Sequence, residues 1–308
     1  MAKYIIRRLL GMIPTMLIII TLSFFIVRVA PGGPFDAERT IPPSIMAHIE
    51  EKYHLDEPLI QQYGRYMFNV LKGDLGPSYK YKDYDVNYYI ANSLPNSVVL
   101  GSVSIVLALL FGVLFGVLAA IYQNSWIDYL TMGVAVIGIS VPLFVIGPLL
   151  QLVFAMKLHW FPTSGWYTTG EGWTTLVLPA ISLAFAYFAE IARLTRSSML
   201  DTLRSDYIRT AKAKGMKNSV IIWKHAMKGA MLPLVSYLGP AIAGVVTGSI
   251  VIEQVFRVPG IGKFFVQSSF NRDYTMIVGV VIVFSVILVI MNFLVDIVYA
   301  LLDPRISY

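Results

Sequence analysis

Long uncharged runs alternate with polar segments along this chain, and the alternation predicts its architecture. Residues Leu9 to Val27 carry no charged side chain and follow Lys3, Arg7 and Arg8. A membrane-crossing helix needs about 20 apolar residues, so this run predicts a first span. A cleaved signal peptide would have an apolar core of about 7–15 residues and then a small-residue cleavage site. This run is longer, and Arg28-Val29-Ala30-Pro31 is a poor cleavage site, so an uncleaved helix is expected. Further spans are predicted over Ser97 to Ile121, Tyr129 to Met156, Leu176 to Ala192, Gly229 to Ile252 and Met276 to Leu302. Pro142 and Pro148 predict kinks in the third span. Gly112 and Gly116 have the spacing that lets two helix backbones approach closely.

The polar segments sort onto two sides. Six spans with both ends inside put Arg7, Arg8, the Gln123 to Asp128 turn, the segment 193–228 and the terminal Asp303-Pro304-Arg305 on the cytoplasmic face, as the positive-inside rule requires. Residues 31–95 and two shorter loops then lie outside. The 31–95 region holds nine acidic against six basic residues and eight tyrosines between Tyr53 and Tyr89, which read as an interfacial belt or a lid. The chain divides into a first segment and helix (1–30), an outer loop region (31–95) and a five-helix core (96–308).

Composition agrees with a membrane protein. The chain has 308 residues, of which 56% are hydrophobic and 14% charged. Soluble domains carry roughly 25% charged residues. The net charge of +6 clusters at span ends, so it does not point to nucleic acid. The absence of cysteine excludes disulfides, thiolate metal sites and cysteine nucleophiles. The four histidines are scattered, without metal-ligand spacing. Gly260-Ile261-Gly262-Lys263 faintly resembles a phosphate loop, but Arg257 and Phe264 stand where that loop needs glycine and a magnesium-binding hydroxyl. The chain is therefore expected to be no enzyme, with no catalytic residue, metal or cofactor of its own.

Four charges lie at or within the spans: Arg28, Glu190, Glu253 and Asp296. Placing a charge in lipid costs at least about 2.5–3.5 kcal/mol, so each is a candidate for a translocation path. Glu253 and Asp296 are expected to face a water-filled passage. The plainer readings place Arg28 and Glu253 at the interface and pair Glu190 with Arg193 or Arg196.

The segment 193–228 is too basic for lipid, with nine basic residues against Asp201 and Asp206. Within it, Ser205 to Gly215 predicts a short capped helix. Ser205 can act as N-cap. Asp206 suits the positive end of the helix dipole, and Lys212 and Lys214 the negative end. Gly215 can take the left-handed closing conformation. Tyr207, Thr210, Ala211 and Lys214 share one face at helical spacing. Such a helix is either a docking knob for a soluble partner or part of a solvated loop.

The segment Tyr207-Ile208-Arg209-Thr210-Ala211-Lys212-Ala213-Lys214-Gly215, followed by Met216, resembles the cytoplasmic coupling loop of ABC-importer permeases in its peptide-permease form. Arg209-Thr210-Ala211 stands for the general Glu-Ala-Ala, and Gly215 matches the pattern's glycine. Ala30-Pro31-Gly32-Gly33-Pro34, Glu51-Lys52-Tyr53-His54-Leu55-Asp56-Glu57-Pro58, Gly73-Asp74-Leu75-Gly76, Val258-Pro259-Gly260-Ile261-Gly262, Asn271-Arg272-Asp273-Tyr274 and Asp303-Pro304-Arg305 are similar to the B-type subunit of bacterial oligopeptide permeases, of the binding-protein-dependent transport system inner-membrane component family. The resemblance implies an all-α membrane protein of six spans in the type I importer architecture. It implies the pore-forming subunit of an ATP-driven oligopeptide importer in the cell inner membrane, surrounded by lipid. The implied partners are a homologous second permease, two cytoplasmic ATPases that carry the ATP and magnesium, and an extracytoplasmic peptide-binding protein. Ser205 to Met216 would be the ATPase-coupling helix. Permeases for dipeptides, nickel or glutathione remain open within the family. An ion-coupled secondary transporter would usually show internal repeats and a midplane ion site.

Overall fold

The apolar runs become helices because lipid leaves backbone N–H and C=O groups no partner outside their own segment. The computed structural model describes residues 2–30, 33–35, 43–81, 83–169 and 172–302. Pro31, Gly32 and the Asp303-Pro304-Arg305 motif lie outside them. The described regular structure is helical, apart from one isolated bridge between Pro77 and Asp85. The helices in chain order begin with α1 (Ala2–Val29), α2 (Pro43–Lys52), α3 (Leu59–Leu71) and α4 (Val86–Ile121). They continue with α5 (Trp126–Ser140), α6 (Leu143–Leu150, extended by wider π turns over Gln151–Lys157) and α7 (Thr174–Leu203). The remainder are α8 (Asp206–Ala213), α9 (Asn218–Val220, leading through π turns at Ile221–Ala226 into α10, Met227–Val246), α11 (Ile250–Phe256), α12 (Gly262–Asn271) and α13 (Tyr274–Leu302).

Among the described residues, five helical segments are long and apolar enough to cross a membrane, and the pair α5–α6 makes up to a sixth. That third span is broken rather than kinked: its halves meet at 110°. Pro142 disfavours helical geometry at the preceding residue. Val141 is accordingly extended (φ −89°, ψ 121°), Pro142 is too (φ −61°, ψ 145°), and the helix restarts at Leu143. Pro148, by contrast, sits inside α6 without ending it. Other boundaries also differ from the hydropathy pattern. The second span begins at Val86 and runs through Pro95, and the fourth continues past Ala192 to Leu203. The fifth ends at Val246, because Gly248 turns the chain at φ +95° before α11.

Small residues set the packing. Lipid is as apolar as leucine, so close van der Waals fit holds spans together more than burial does. A Cβ on Gly112 would meet Ile191 Cγ2 at 2.7 Å, and one on Gly116 would meet the Ala192 carbonyl at 2.7 Å. The predicted close-approach stripe is thus the α4–α7 seam. Around it lies a core of Leu100, Ala108, Leu178, Leu183, Ile191, Leu234 and Val245 from α4, α7 and α10. A second core joins α1, α3, α12 and α13 through Phe24, Tyr66, Phe264 and Met276. At the far end of the bundle, Asp128 (2% exposed) receives both Nε and Nη2 of Arg196, at 2.5 and 2.7 Å, and so ties α5 to α7.

Candidate functional site

The α8 segment is a short helix seated on the bundle by two residues. Ile208 (0% exposed) and Ala211 (7%) enter a cluster with Val117, Met199, Ile221 and Ala230, against which Met216 also packs. Asp206, Tyr207, Arg209, Thr210, Lys212, Ala213 and Lys214 remain exposed. The Arg209–Asp206 pair, 3.3 Å apart and largely exposed, contributes little to stability. Gly215 closes the helix at φ +72°, donating its N–H to the Lys212 carbonyl at 2.9 Å. Two expectations are corrected. Ser205 occupies the N-cap position, but its hydroxyl donates backward to the Thr202 carbonyl (2.6 Å) and makes no cap bond. Ala211 belongs to the seated face: helical periodicity groups it with Thr210 and Lys214, but only packing reveals which face turns inward. The outward face is carried by Arg209, Thr210 and Lys212, with Tyr207 half exposed and its hydroxyl beside Gly229.

The four span charges are not brought together. Arg28 leaves α1 to donate to Gln62 Oε1 (3.2 Å) and lies over the Phe24 ring, 3.5 Å from its centroid. Glu190 pairs with Arg193 one turn on, at 2.5 Å. Asp296 meets Arg8 at 3.1 Å, in a cleft of about 560 Å³ between α1 and α13. Glu253 overturns the expectation of a passage-facing carboxylate: it is 1% exposed. Its Oε1 accepts from Ser97 Oγ (2.6 Å) and its Oε2 from the Gly262 N–H (2.9 Å). Gly248, Gly260 and Gly262 crowd around it so closely that a Cβ on any of them would collide with the carboxyl group. Hydropathy missed this because it registers Glu253 as a charge at a span end and not the glycines that enclose it. Ser97 Oγ also accepts from Ile261 N–H (2.9 Å), and Asn96 Nδ2 donates to the Pro259 carbonyl (3.0 Å), so α4 braces the whole 248–262 turn.

The segment between α1 and α4 packs through aromatic side chains. Phe35, Tyr79 and Tyr274 form a small core with Tyr53 against it. Asp273, 0% exposed, ties that core down by accepting from Ser78 Oγ and from the Tyr79 and Met276 N–H groups, both at 3.2 Å. Burial pushes the Tyr79 phenol up to about 12 and the Tyr66 phenol higher still, so both stay protonated hydrogen-bond donors. Of the eight tyrosines expected as a belt or lid, Tyr66 and Tyr79 are core residues, while Tyr84 and Tyr88 stack in the open at 3.9 Å. Among the described residues, no group of three or more His, Asp or Glu side chains is placed to hold a metal ion.

Comparison with known proteins gives these sites a context. The model of the binding-protein-dependent transport system inner membrane component family matches residues 112–308, and the corresponding N-terminal family model matches residues 1–101. The chain is 48% identical over 308 residues to the oligopeptide transport system permease protein OppB of Escherichia coli and 49% identical to that of Haemophilus influenzae, covering all of each chain. It is 46% identical over 307 residues to the dipeptide transport system permease protein DppB of Bacillus subtilis, covering 100% of this chain and 98% of that one. Among solved structures, an inward-facing MetNI methionine ABC transporter chain superposes with a TM-score of 0.58 at 16% identity, over 70% of this chain and 97% of that one. That likeness shows a shared fold.

Proposed function

The chain belongs to the binding-protein-dependent transport system inner membrane component family, and from that premise we propose that it is the pore-forming subunit of an oligopeptide importer driven by ATP. The observation that carries this reading is end-to-end identity of 48–49% with oligopeptide permeases. The relative named for dipeptide transport, at 46%, keeps dipeptides as the second reading for the cargo. The chain is a multi-pass inner-membrane protein, and in the proposed orientation both termini and α8 face the cytoplasm. A homologous second permease completes the pore, two ATPases dock on the cytoplasmic side, and an extracytoplasmic binding protein delivers peptide. The ATP and magnesium reside on the ATPases, and this chain supplies no catalytic group.

The proposed mechanism follows from how α8 is held. A helix fixed by two buried side chains, with Arg209, Thr210 and Lys212 outward, can sit in a cleft of an ATPase and move with it as a rigid body. The motion passes into α7 and α10 through the Ile208–Met199–Ala230 contacts. The opposing side of the chain is clamped by Glu253, so displacement at α8 is not lost in a yielding outer turn. The test is purification of the tagged chain from its native membrane in gentle detergent, followed by mass spectrometry and peptide-stimulated ATP hydrolysis. Co-elution of a homologous permease and ATPases, with hydrolysis stimulated by oligopeptides, supports the reading. A chain that elutes alone and still transports contradicts it.

A further inference from the structure

The first and last spans, α1 and α13, part at one end around a cleft of about 560 Å³. Its charged end is formed by Arg7, Arg8 and Asp296, and its walls turn apolar along the helices through Met12 and Phe293 to Val289. Helix geometry sets the depth of that charged end. The rise from Arg8 to Arg28 is about 30 Å at 1.5 Å per residue, the thickness of a bilayer's hydrocarbon core. Arg28 lies 5.7 Å from the centroid of the Tyr274 ring at the start of α13, so the two helices are level at their other end as well. The Arg8–Asp296 pair therefore sits at headgroup depth, and Met12, Phe293 and Val289 lie where acyl chains begin.

Two observations point to an occupant. The first is charge. Asp296 pairs with Arg8 at 3.1 Å, while Arg7 is exposed and makes no ion pair among the described residues. Two guanidinium groups against one carboxylate leave the cleft one positive charge in excess. The second is Gly11 in the cleft wall, one helical turn beyond Arg7 on the same face. Glycine weakens a helix interior relative to alanine, and its use in a span usually marks the close approach of a second helix. A Cβ on Gly101, Gly112, Gly116, Gly239 or Gly279 would lie 2.7 Å from an atom of another helix, whereas one on Gly11 would meet nothing within 4 Å. No part of the described chain uses the space that Gly11 leaves.

We propose that this cleft holds an anionic glycerophospholipid, its phosphate met by Arg7 beside Arg8 and one acyl chain lying past Gly11 toward Val289. The planar guanidinium fork matches phosphate oxygens in pairs and sheds water more readily than an ammonium. Basic pockets between spans on the cytoplasmic side of a membrane hold anionic headgroups on the same grounds, and the proposed orientation puts the cleft on that side. A span of another protein is the rival occupant. It would cover Arg7 with no anion to meet it, whereas a lipid brings one. The inference goes beyond the importer reading and needs only that α1 and α13 cross the membrane.

The test uses the full chain purified in detergent, with lipid binding read by native mass spectrometry. Phosphatidylglycerol is expected to bind about fivefold tighter than phosphatidylcholine with the same acyl chains, the contribution of one basic residue near an anionic lipid surface. Arg7→Gln should remove that preference. Gly11→Leu fills the cleft, leaves every charge in place and should remove it too. Lys157→Gln takes one exposed charge from elsewhere on the chain and should leave it intact. Glycerol 3-phosphate and inorganic phosphate, at the concentration of the lipid, should not displace it. Equal binding of the two lipids by wild type overturns the site without any variant having to fold. A preference that survives Arg7→Gln or Gly11→Leu, or that vanishes in Lys157→Gln, also overturns it. Displacement by either soluble phosphate assigns the cleft to a free anion and overturns the lipid. The chain has no cysteine, so Gly11→Cys places a single thiol in the cleft. In the native membrane a short bifunctional reagent is expected to leave that thiol unlinked to protein, and a crosslink to another chain would give the cleft to a partner span and overturn the proposal.

Discussion

The connections at the two ends of α10 are built on opposite principles. Before it, residues 204–217 fold into a helix whose polar side chains point away from the protein and whose attachment is apolar, through Ile208 and Ala211. After it, residues 248–273 turn both of their carboxylates inward: Glu253 is sealed among glycines and braced by Ser97, and Asp273 is sealed beneath Ser78 and Tyr79. A segment whose hydrogen-bonding groups are spent internally resists deformation and has little left for a partner. A segment anchored by two side chains leaves its charges available and can shift as a unit. The difference makes the 248–273 turn the more tightly held of the two and suits α8 to the docking role proposed for it.

Substitutions can separate these roles. The largest expected effect is at the sealed carboxylate. Glu253→Ala orphans two buried donors, the Gly262 N–H and the Ser97 hydroxyl. Each orphaned group costs about 1–3 kcal/mol, so a total loss of roughly 2–6 kcal/mol is expected. Thermal unfolding in detergent should show a large drop in midpoint, and an unchanged midpoint would remove the clamp from the comparison. Next is Ala211→Arg, which drives a charged side chain into the α8 seat. Overpacking of this kind costs about 1–3 kcal/mol. Limited trypsin digestion should cut within 204–217 faster than in wild type, and equal rates would mean that Ala211 is not seated. Smaller again is Gly215→Ala. Nothing lies within 4 Å of a Cβ there, so the cost is the left-handed backbone alone. That is roughly 1–2 kcal/mol, read as faster hydrogen exchange over α8 with the rest of the chain unaffected.

Much of this contrast was legible in the sequence, but unevenly. The closing glycine at Gly215 and the close-approach pair Gly112 and Gly116 follow from local rules of backbone and spacing, and the structure places each in the expected geometry. Ala211 and Glu253 escaped because their roles depend on what lies opposite. An alanine on a short helix fits either face until Val117 and Ile221 close over it. A glutamate at a span end looks like a charge seeking water until Ser97, far away in sequence, donates to it. The 110° break at Pro142 lies between these cases. Proline announces a disruption, but its angle is set by α6 packing against α11 and α7. The tyrosines were legible as an aromatic group, but their division into buried and open members came only from tertiary contacts.

The most direct measurement is peptide-stimulated ATP hydrolysis by the reconstituted complex carrying Arg209→Glu and Lys212→Glu. Both side chains are exposed on α8, so the substitutions should change the stability of the chain by less than about 0.5 kcal/mol. With an unchanged melting midpoint, stimulated hydrolysis should fall about tenfold or more, the equivalent of about 1.4 kcal/mol lost from the docked state. A complex that keeps its wild-type stimulation with both charges reversed would contradict the docking role of α8.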